Sequence, residues 1–317
     1  MLPLSIAAAL LAPAVAGSDV PQQDKAEHVT TVQRVSPTIH VIQRYGANMA
    51  VLIGEEGVLK VDGGFLDAAP EIEIALVGLT DLPVRYLVNT HWHEDHTQSN
   101  PYWAVGGAAI IAHESVRAHL LADESIPEVV RYREPMDAAG VPTITFRERL
   151  DLRFNGQDVR IWHYPAAHSD GDAVVYFPAE KVACVGDVYR QDNFPFIELI
   201  SGGRPAGMLR AVEDLLRRLP QDTVIVPGHG AVSDMAGLRE FYDMLFDANE
   251  QLKKAVREGV TVLGLYERRM LGEYEDRWSG GSGQRARGFL QIMWYTYAPK
   301  RTRGLGESTE PSIKPEF

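Results

Sequence analysis

Five potential metal ligands stand within six consecutive residues, His91, His93, Glu94, Asp95 and His96, interrupted only by Trp92. Imidazoles and carboxylates crowded this closely lose hydration on folding, and a bound cation is the partner that uses their lone pairs. Strand ends, where the loops of an α/β layer gather, are the places to search for further ligands. His168, Asp187 and His229 hold such positions: His168 follows an alternating run at 158–164, Asp187 follows directly on the run 182–186, and His229 follows 224–227. Together with His91, His93, Asp95 and His96 they suffice for two metal ions. His28 in the leader, His113 and His119 on a helix, and His40 and His163 inside strands fit no ligand position and read as surface or core histidines. Asp170 and Asp172 read as an acidic loop after His168. Asp62, at a strand end, is either an acceptor for a ligand imidazole N–H or the stabiliser of the turn Asp62-Gly63-Gly64.

The elements that must position these groups follow from patterning. Residues 39–42 alternate as a first strand, and 48–53 and 58–61 follow with Gly54–Gly57 as a tight connection. Residues 67–79 have helical spacing, with Asp67 as N-cap and Pro70 in the first turn. The strand 84–89 delivers the hexapeptide at its C-terminal end. Short strand 108–112 and helix 113–122 come next, then a weakly periodic excursion over 123–147. Strands at 149–154 and 158–164 are joined by Asn155-Gly156, a strong hairpin signal. Strands at 173–177 and 181–185, a helix at 206–219 and a strand at 223–226 complete a rhythm of sheets covered by helices. A long amphipathic helix over 235–257 and another over 288–297 follow, linked through the flexible run Ser279 to Gly283. The chain thus divides into a leader at 17–37, an α/β domain at 38–235, a helical extension at 236–299 and a loose tail at 300–317.

With 317 residues, 45% hydrophobic and 23% charged, the chain is long enough to bury a substantial core. A formal net charge of −12, with no stripe of Lys and Arg, argues against a nucleic-acid partner. The paired glycines lack the strand-to-helix context of a phosphate cradle. The single cysteine, Cys184, excludes an intramolecular disulfide and a thiolate-rich metal site, and reads as a buried strand residue. Residues 1–16 form an uncharged apolar run ending Ala14-Val15-Ala16, the pattern of a signal peptide before its cleavage point. The run is short for a membrane span, which needs about 20 residues, so the expectation is cleavage and a periplasmic or secreted protein with no stable membrane insertion, a retained membrane anchor being the alternative.

The run His91-x-His93-x-Asp95-His96, followed in order by His168, Asp187 and His229, resembles the metallo-β-lactamase superfamily over roughly residues 38–235. The resemblance implies an α/β fold of four layers, an αββα sandwich of two mixed sheets flanked by helices. It implies His91, His93 and His168 on one zinc ion, Asp95, His96 and His229 on a second, and Asp187 bridging both. Manganese or iron are alternative occupants. The implied activity is hydrolysis by a hydroxide shared between the two ions, attacking the carbonyl of a small ester, thioester, lactone or amide, with Asp95 and His229 at the catalytic centre. β-Lactamases proper commonly carry Cys or Ser where this chain has Asp187, whereas glyoxalase-II-like thioesterases, lactonases and transfer-RNA-processing nucleases share the aspartate. Flavo-diiron oxidoreductases usually carry Glu where this chain has His93. A β-lactamase is therefore one alternative, and a non-hydrolytic metal-binding or iron-dependent redox protein is another. Substrate choice is expected from the flap at Tyr45–Asn48, the excursion 123–147 and the loop 189–204, with Tyr189, Phe194 and Phe196 as an apolar wall or as packing beneath the C-terminal helices.

Overall fold

The computed structural model describes residues 29–122, 124–126, 131–191, 193–279 and 283–298, and the side chains of 124–126 and 131–133 are not among the described features. The apolar run 1–16, the first part of the leader, most of the 279–283 link and the tail 300–317 lie outside the described residues.

The first half contains β1 (Thr31–Arg34), β2 (Ile39–Arg44), β3 (Ala47–Gly54), β4 (Gly57–Val61), α1 (Ala69–Val77), β5 (Val84–Val88), α2 (Glu94–Thr97), α3 (Asn100–Val105), β6 (Ala109–His113), α4 (Glu114–Leu121), β7 (Glu124–Ile126), β8 (Arg131–Arg133) and β9 (Ile144–Phe146). The second contains β10 (Arg149–Phe154), β11 (Gln157–His163), β12 (Ala173–Phe177), β13 (Val182–Arg190), α5 (Pro205–Arg218), β14 (Val224–His229) and β15 (Ser233–Asp234). The helices α6 (Met235–Arg257), α7 (Val262–Glu267), α8 (Gly272–Trp278) and α9 (Gly283–Tyr297) follow.

Two mixed sheets result. In one, β1 to β4 run antiparallel and β5, β6 and β9 add in parallel beyond β4. In the other, β10 to β13 run antiparallel, β14 lies parallel to β13, and β15 turns back on β14. The sheets join at one bridge, His229 to Ala47. Period-two alternation sends one face of each strand inward. Ile39, Val41, Leu52, Leu59 and Val61 of the first sheet meet Val159, Ile161, Val175, Phe177 and Val226 of the second in one core. The outer face of the first sheet, with Ile42, Met49, Val51 and Val58, is covered by Ile72 and Leu76 of α1 and Trp103 of α3. The outer face of the second is covered by α5, α6 and α9. This is the expected αββα sandwich. Each buried Val, Leu or Ile contributes roughly 1.5–3 kcal/mol, and a one-residue slip of a central strand would exchange its two buried faces and spoil the packing against both the facing sheet and the helices.

Local differences from the expectations have physical causes. The second half of the leader contributes β1, an edge strand paired with β2. Helix α1 starts at Ala69 with Ala68 at its N-cap and no side-chain cap, so Asp67 does not serve there, and Pro70 lies in the first turn as expected. Tyr45 (φ +50°) and Gly46 (φ +77°) form a two-residue turn between β2 and β3, which makes the expected flap a tight hairpin. Asn155 (φ +54°) and Gly156 (φ +72°) form the predicted hairpin between β10 and β11. The excursion holds β7, β8, a short 3-10 turn at Ala138–Gly140 and β9. No helix among the described residues is long and apolar enough to cross a membrane.

Candidate metal centre

All seven predicted residues converge at one edge of the sandwich. His91 follows β5, His93 occupies the N-cap position of α2, and Asp95 and His96 lie in its single turn. His168 comes from the loop between β11 and β12, and His229 ends β14. Asp187 was expected just past a strand but lies inside β13. Register shifts on either side of Gly186, itself at φ +52°, let the strand continue while turning the aspartate toward the ligands. Among the described residues, three groups have ligand atoms within 4.8 Å of one another: His91 with His93 and His168, His91 with His96 and Asp187, and Asp95 with His96 and His229. The Nε2 of His229 is 2.9 Å from Asp95 Oδ2 and 3.4 Å from Asp187 Oδ1, and Asp187 Oδ1 is 3.6 Å from His96 Nε2.

Each imidazole is held from behind. Asp62 Oδ2 accepts from His96 Nδ1 at 2.9 Å, and the same carboxylate accepts from Thr90 N and Thr90 Oγ1. The alternative for Asp62 as a mere turn residue is thereby decided, although it also takes the turn's left-handed conformation, φ +64°. The Nε2 of His93 faces Glu198 Oε2 at 3.3 Å, leaving Nδ1 toward His168 Nε2 at 3.1 Å. His168 Nδ1 donates to the carbonyl of Phe196 at 2.8 Å, and His229 Nδ1 to that of Gly46 at 3.1 Å. Such outer partners fix which ring nitrogen is free for a metal. Asn48 donates to the carbonyls of Pro227 and Gly230 and so ties the β2–β3 hairpin to the His229 strand end.

The donor set fits a divalent ion. His91 Nε2, His96 Nε2 and Asp187 Oδ1 are buried with no hydrogen-bond partner, a cost that an ion would remove. Mixed imidazole and carboxylate ligands without thiolate suit zinc and, less selectively, manganese or iron. Burial and the neighbouring imidazoles hold His91 well below the ordinary histidine range, so its lone pair is available at neutral pH. Burial also lowers His96, but Asp95 and Asp62 more than offset it and hold the ring well above that range. The Asp187 carboxyl, raised by burial, is driven far below the carboxylate range by His229 and by Arg190, whose Nη1 is 3.3 Å from Oδ2.

A model of the metallo-beta-lactamase superfamily matches residues 43–229, more than half of the chain, and the matched span runs from β2 to the last ligand. The chain belongs to the metallo-beta-lactamase superfamily. Among its relatives, a linear primary-alkylsulfatase of Pseudomonas sp. (strain ATCC 19151) is 25% identical over 255 residues, covering 67% of this chain and 48% of that protein. The chain therefore spans about half the length of that relative. A type 2 metallo-beta-lactamase of Bacillus cereus is 22% identical over 201 residues, covering 63% of this chain and 73% of that enzyme. Among solved structures, a metallo-beta-lactamase from Pontibacter korlensis aligns with a TM-score of 0.58 at 19% identity, covering 69% of this chain and all of that one. The DIM-1 metallo-beta-lactamase gives 0.57 at 20%, covering 69% and 98%.

In this metallo-beta-lactamase superfamily member the helices after β15 lie beyond the matched span, yet they reach the site. The backbone N–H of Phe194 donates to Trp278 O, Phe194 stacks on Phe289 with ring centroids 5.4 Å apart, and Arg277 Nη1 donates to Gln191 O. These contacts anchor the loop that carries Phe196 and Glu198. Tyr189 packs on Phe241 at 5.1 Å beneath α6, so of the three aromatics only Phe196 flanks the ligands, 6.2 Å from His93 and 5.9 Å from His168. Residues missed in the sequence are Glu198 and the carbonyls of Phe196 and Gly46. A lone glutamate 105 positions from His93 carries no spacing signal, and a backbone carbonyl has no residue type. His113 has a structural role, its Nδ1 accepting from Ser115 N at the start of α4. Asp172 likewise accepts from Ser169 and closes the His168 loop.

Proposed function

We propose that the protein is an exported, zinc-dependent hydrolase that cleaves a small ester, thioester, lactone or amide. The observation that carries this reading is the pair of adjacent ligand groups with Asp187 beside them, in which His91 Nε2, His96 Nε2 and Asp187 Oδ1 are buried without a hydrogen-bond partner. His91, His93 and His168 would hold one ion, Asp95, His96 and His229 the other, and Asp187 would touch both. Divalent metal held there would acidify a bound water and polarise the bond to be cleaved.

The protein's own groups do the remaining work. Asp95, part-exposed and hydrogen-bonded to His229, accepts a proton from the attacking water and orients it. Asp62, Glu198 and the two carbonyls face the far ring nitrogens and so fix the direction in which each free nitrogen points. Phe196 screens one side of the site from water and offers an apolar surface to the substrate.

The test is to load metal-free protein with zinc and assay thioesters, lactones, phosphodiesters, β-lactams and, given the alkylsulfatase relative, alkyl sulfate esters. Chelation should abolish turnover and zinc restore it. Failure to bind zinc, or hydrolysis indifferent to chelator, would defeat the reading. β-Lactam hydrolysis is a second reading, supported by the β-lactamases among the relatives, with Asp187 weighing against it. Iron content with oxygen-dependent turnover would favour a redox role. Export predicts a mature N-terminus following Ala16 in periplasmic or secreted material.

A further inference from the structure

Behind the ligands lies a lysine that the proposed reaction does not use. On β4, Leu59 and Val61 enter the core between the sheets, so Lys60 points to the opposite, helix-covered face. It is fully buried. Neighbouring outward positions on this face are apolar, Met49, Val51 and Val58 among them, and an apolar residue would avoid the desolvation cost of an ammonium. The Nζ of Lys60 donates to the carbonyls of Asp62 and, at 3.0 Å, of Gly63, and lies 5.0 Å from the centre of the Trp103 ring. Burial lowers this amine to about 7 even though Asp62 pulls it upward.

The two carbonyls belong to the turn that aims Asp62. Its left-handed backbone, φ +64°, is uncommon for a residue other than glycine. That conformation lets the carboxylate receive Thr90 N and Thr90 Oγ1 while accepting from His96 Nδ1. Gly63 N donates in turn to His96 O at 2.7 Å, so the turn grips His96 from both its ring and its backbone. Two successive carbonyls aimed at one buried point repel unless a donor stands between them, and Lys60 is that donor.

We propose that Lys60 is a positioning residue for the metal site containing His96: the N–H groups of its Nζ clamp the Asp62 and Gly63 carbonyls and so fix the turn that aims the Asp62 carboxylate at His96. This rests on the metal-binding reading above. The experiment titrates metal-free protein with zinc against a chromophoric chelator, assigning the two binding steps with His168→Ala and His229→Ala. In Lys60→Met the step lost in His229→Ala should weaken about 10–100-fold, the scale for an outer partner of a ligand, while the step lost in His168→Ala stays unchanged. Lys60→Met combined with Asp62→Asn should bind no more weakly than Asp62→Asn alone, because one acts through the other. Lys60→Gln, which keeps two N–H donors, should recover most of the lost affinity. The metal-free Tm of Lys60→Met should stay within ~4 °C of wild type. Equal weakening of both steps, no weakening, additive losses in the double variant, or Lys60→Gln no better than Lys60→Met would each overturn the proposal. Wild-type protein that binds no zinc would overturn the underlying reading as well, a result distinct from a Lys60 variant that binds like wild type.

Discussion

Replacing Glu198 by glutamine removes one negative charge from behind His93 while keeping the side chain's shape and an acceptor oxygen. Glu198 Oε2 lies 3.3 Å from His93 Nε2, the side chain is 7% exposed, and the carboxylate also accepts from Ser201 Oγ. A hydrogen bond to a charged group contributes about 1.5–3 kcal/mol and a neutral one about 0.5–1.5. The difference, ~1–2 kcal/mol, corresponds to roughly 5–30-fold in affinity, and chelator competition at pH 7.5 should show that loss in the step assigned to His91, His93 and His168. A second readout comes from the metal-free protein. Burial pushes the Glu198 carboxyl up, but His93 and Ser201 overcome this and hold it at about 2 against a usual 4.5. A folded-state value below the unfolded one stabilises above about pH 4.5, and the contribution is lost as pH falls toward 2. At 1.36 kcal/mol per unit the contribution is about 3 kcal/mol. Glu198→Gln should therefore flatten the fall in urea midpoint between pH 5 and 3. Zinc affinity within twofold of wild type together with an unchanged acid slope would refute the assigned role.

Two further perturbations test the frame around the ligands. A Cβ on Gly228 would stand 2.0 Å from Asp187 Oδ1 and 3.0 Å from the Gly186 carbonyl carbon, so Gly228→Ala should cut zinc affinity by more than tenfold without removing a ligand; calorimetric titration with retained far-UV circular dichroism checks it. Phe289→Ala removes a buried ring stacked on Phe194 and should cost about 3–5 kcal/mol in urea unfolding. It should also speed amide exchange in 193–201, the loop that holds Glu198 and the Phe196 carbonyl.

The sequence by itself determined the candidate ligand set and the rhythm of strands and helices. Histidine and aspartate crowded at 91–96 are costly without a cation, and that cost is visible in residue types alone. His168, Asp187 and His229 were legible because each stands near the end of an apolar run, and alternation along 39–61 and 158–185 marked the strands, while the resemblance to the metallo-β-lactamase superfamily implied that they form two facing sheets. The exact helix 235–257 followed from its amphipathic period. What only the tertiary structure decided is how those ligands are aimed. Glu198 reaches His93 across 105 positions, the carbonyls of Phe196 and Gly46 carry no side-chain signature, and Lys60 in an apolar strand looks outward-facing and solvated until α1 and α3 cover it. The same limit applies to Asp187, which a bulge at Gly186 keeps within β13, and to Tyr189 and Phe194, drawn away from the site by the C-terminal helices. Ligand chemistry is local and written in residue identity. Support is non-local, made largely by backbone groups and by chain segments brought together only when the two sheets close.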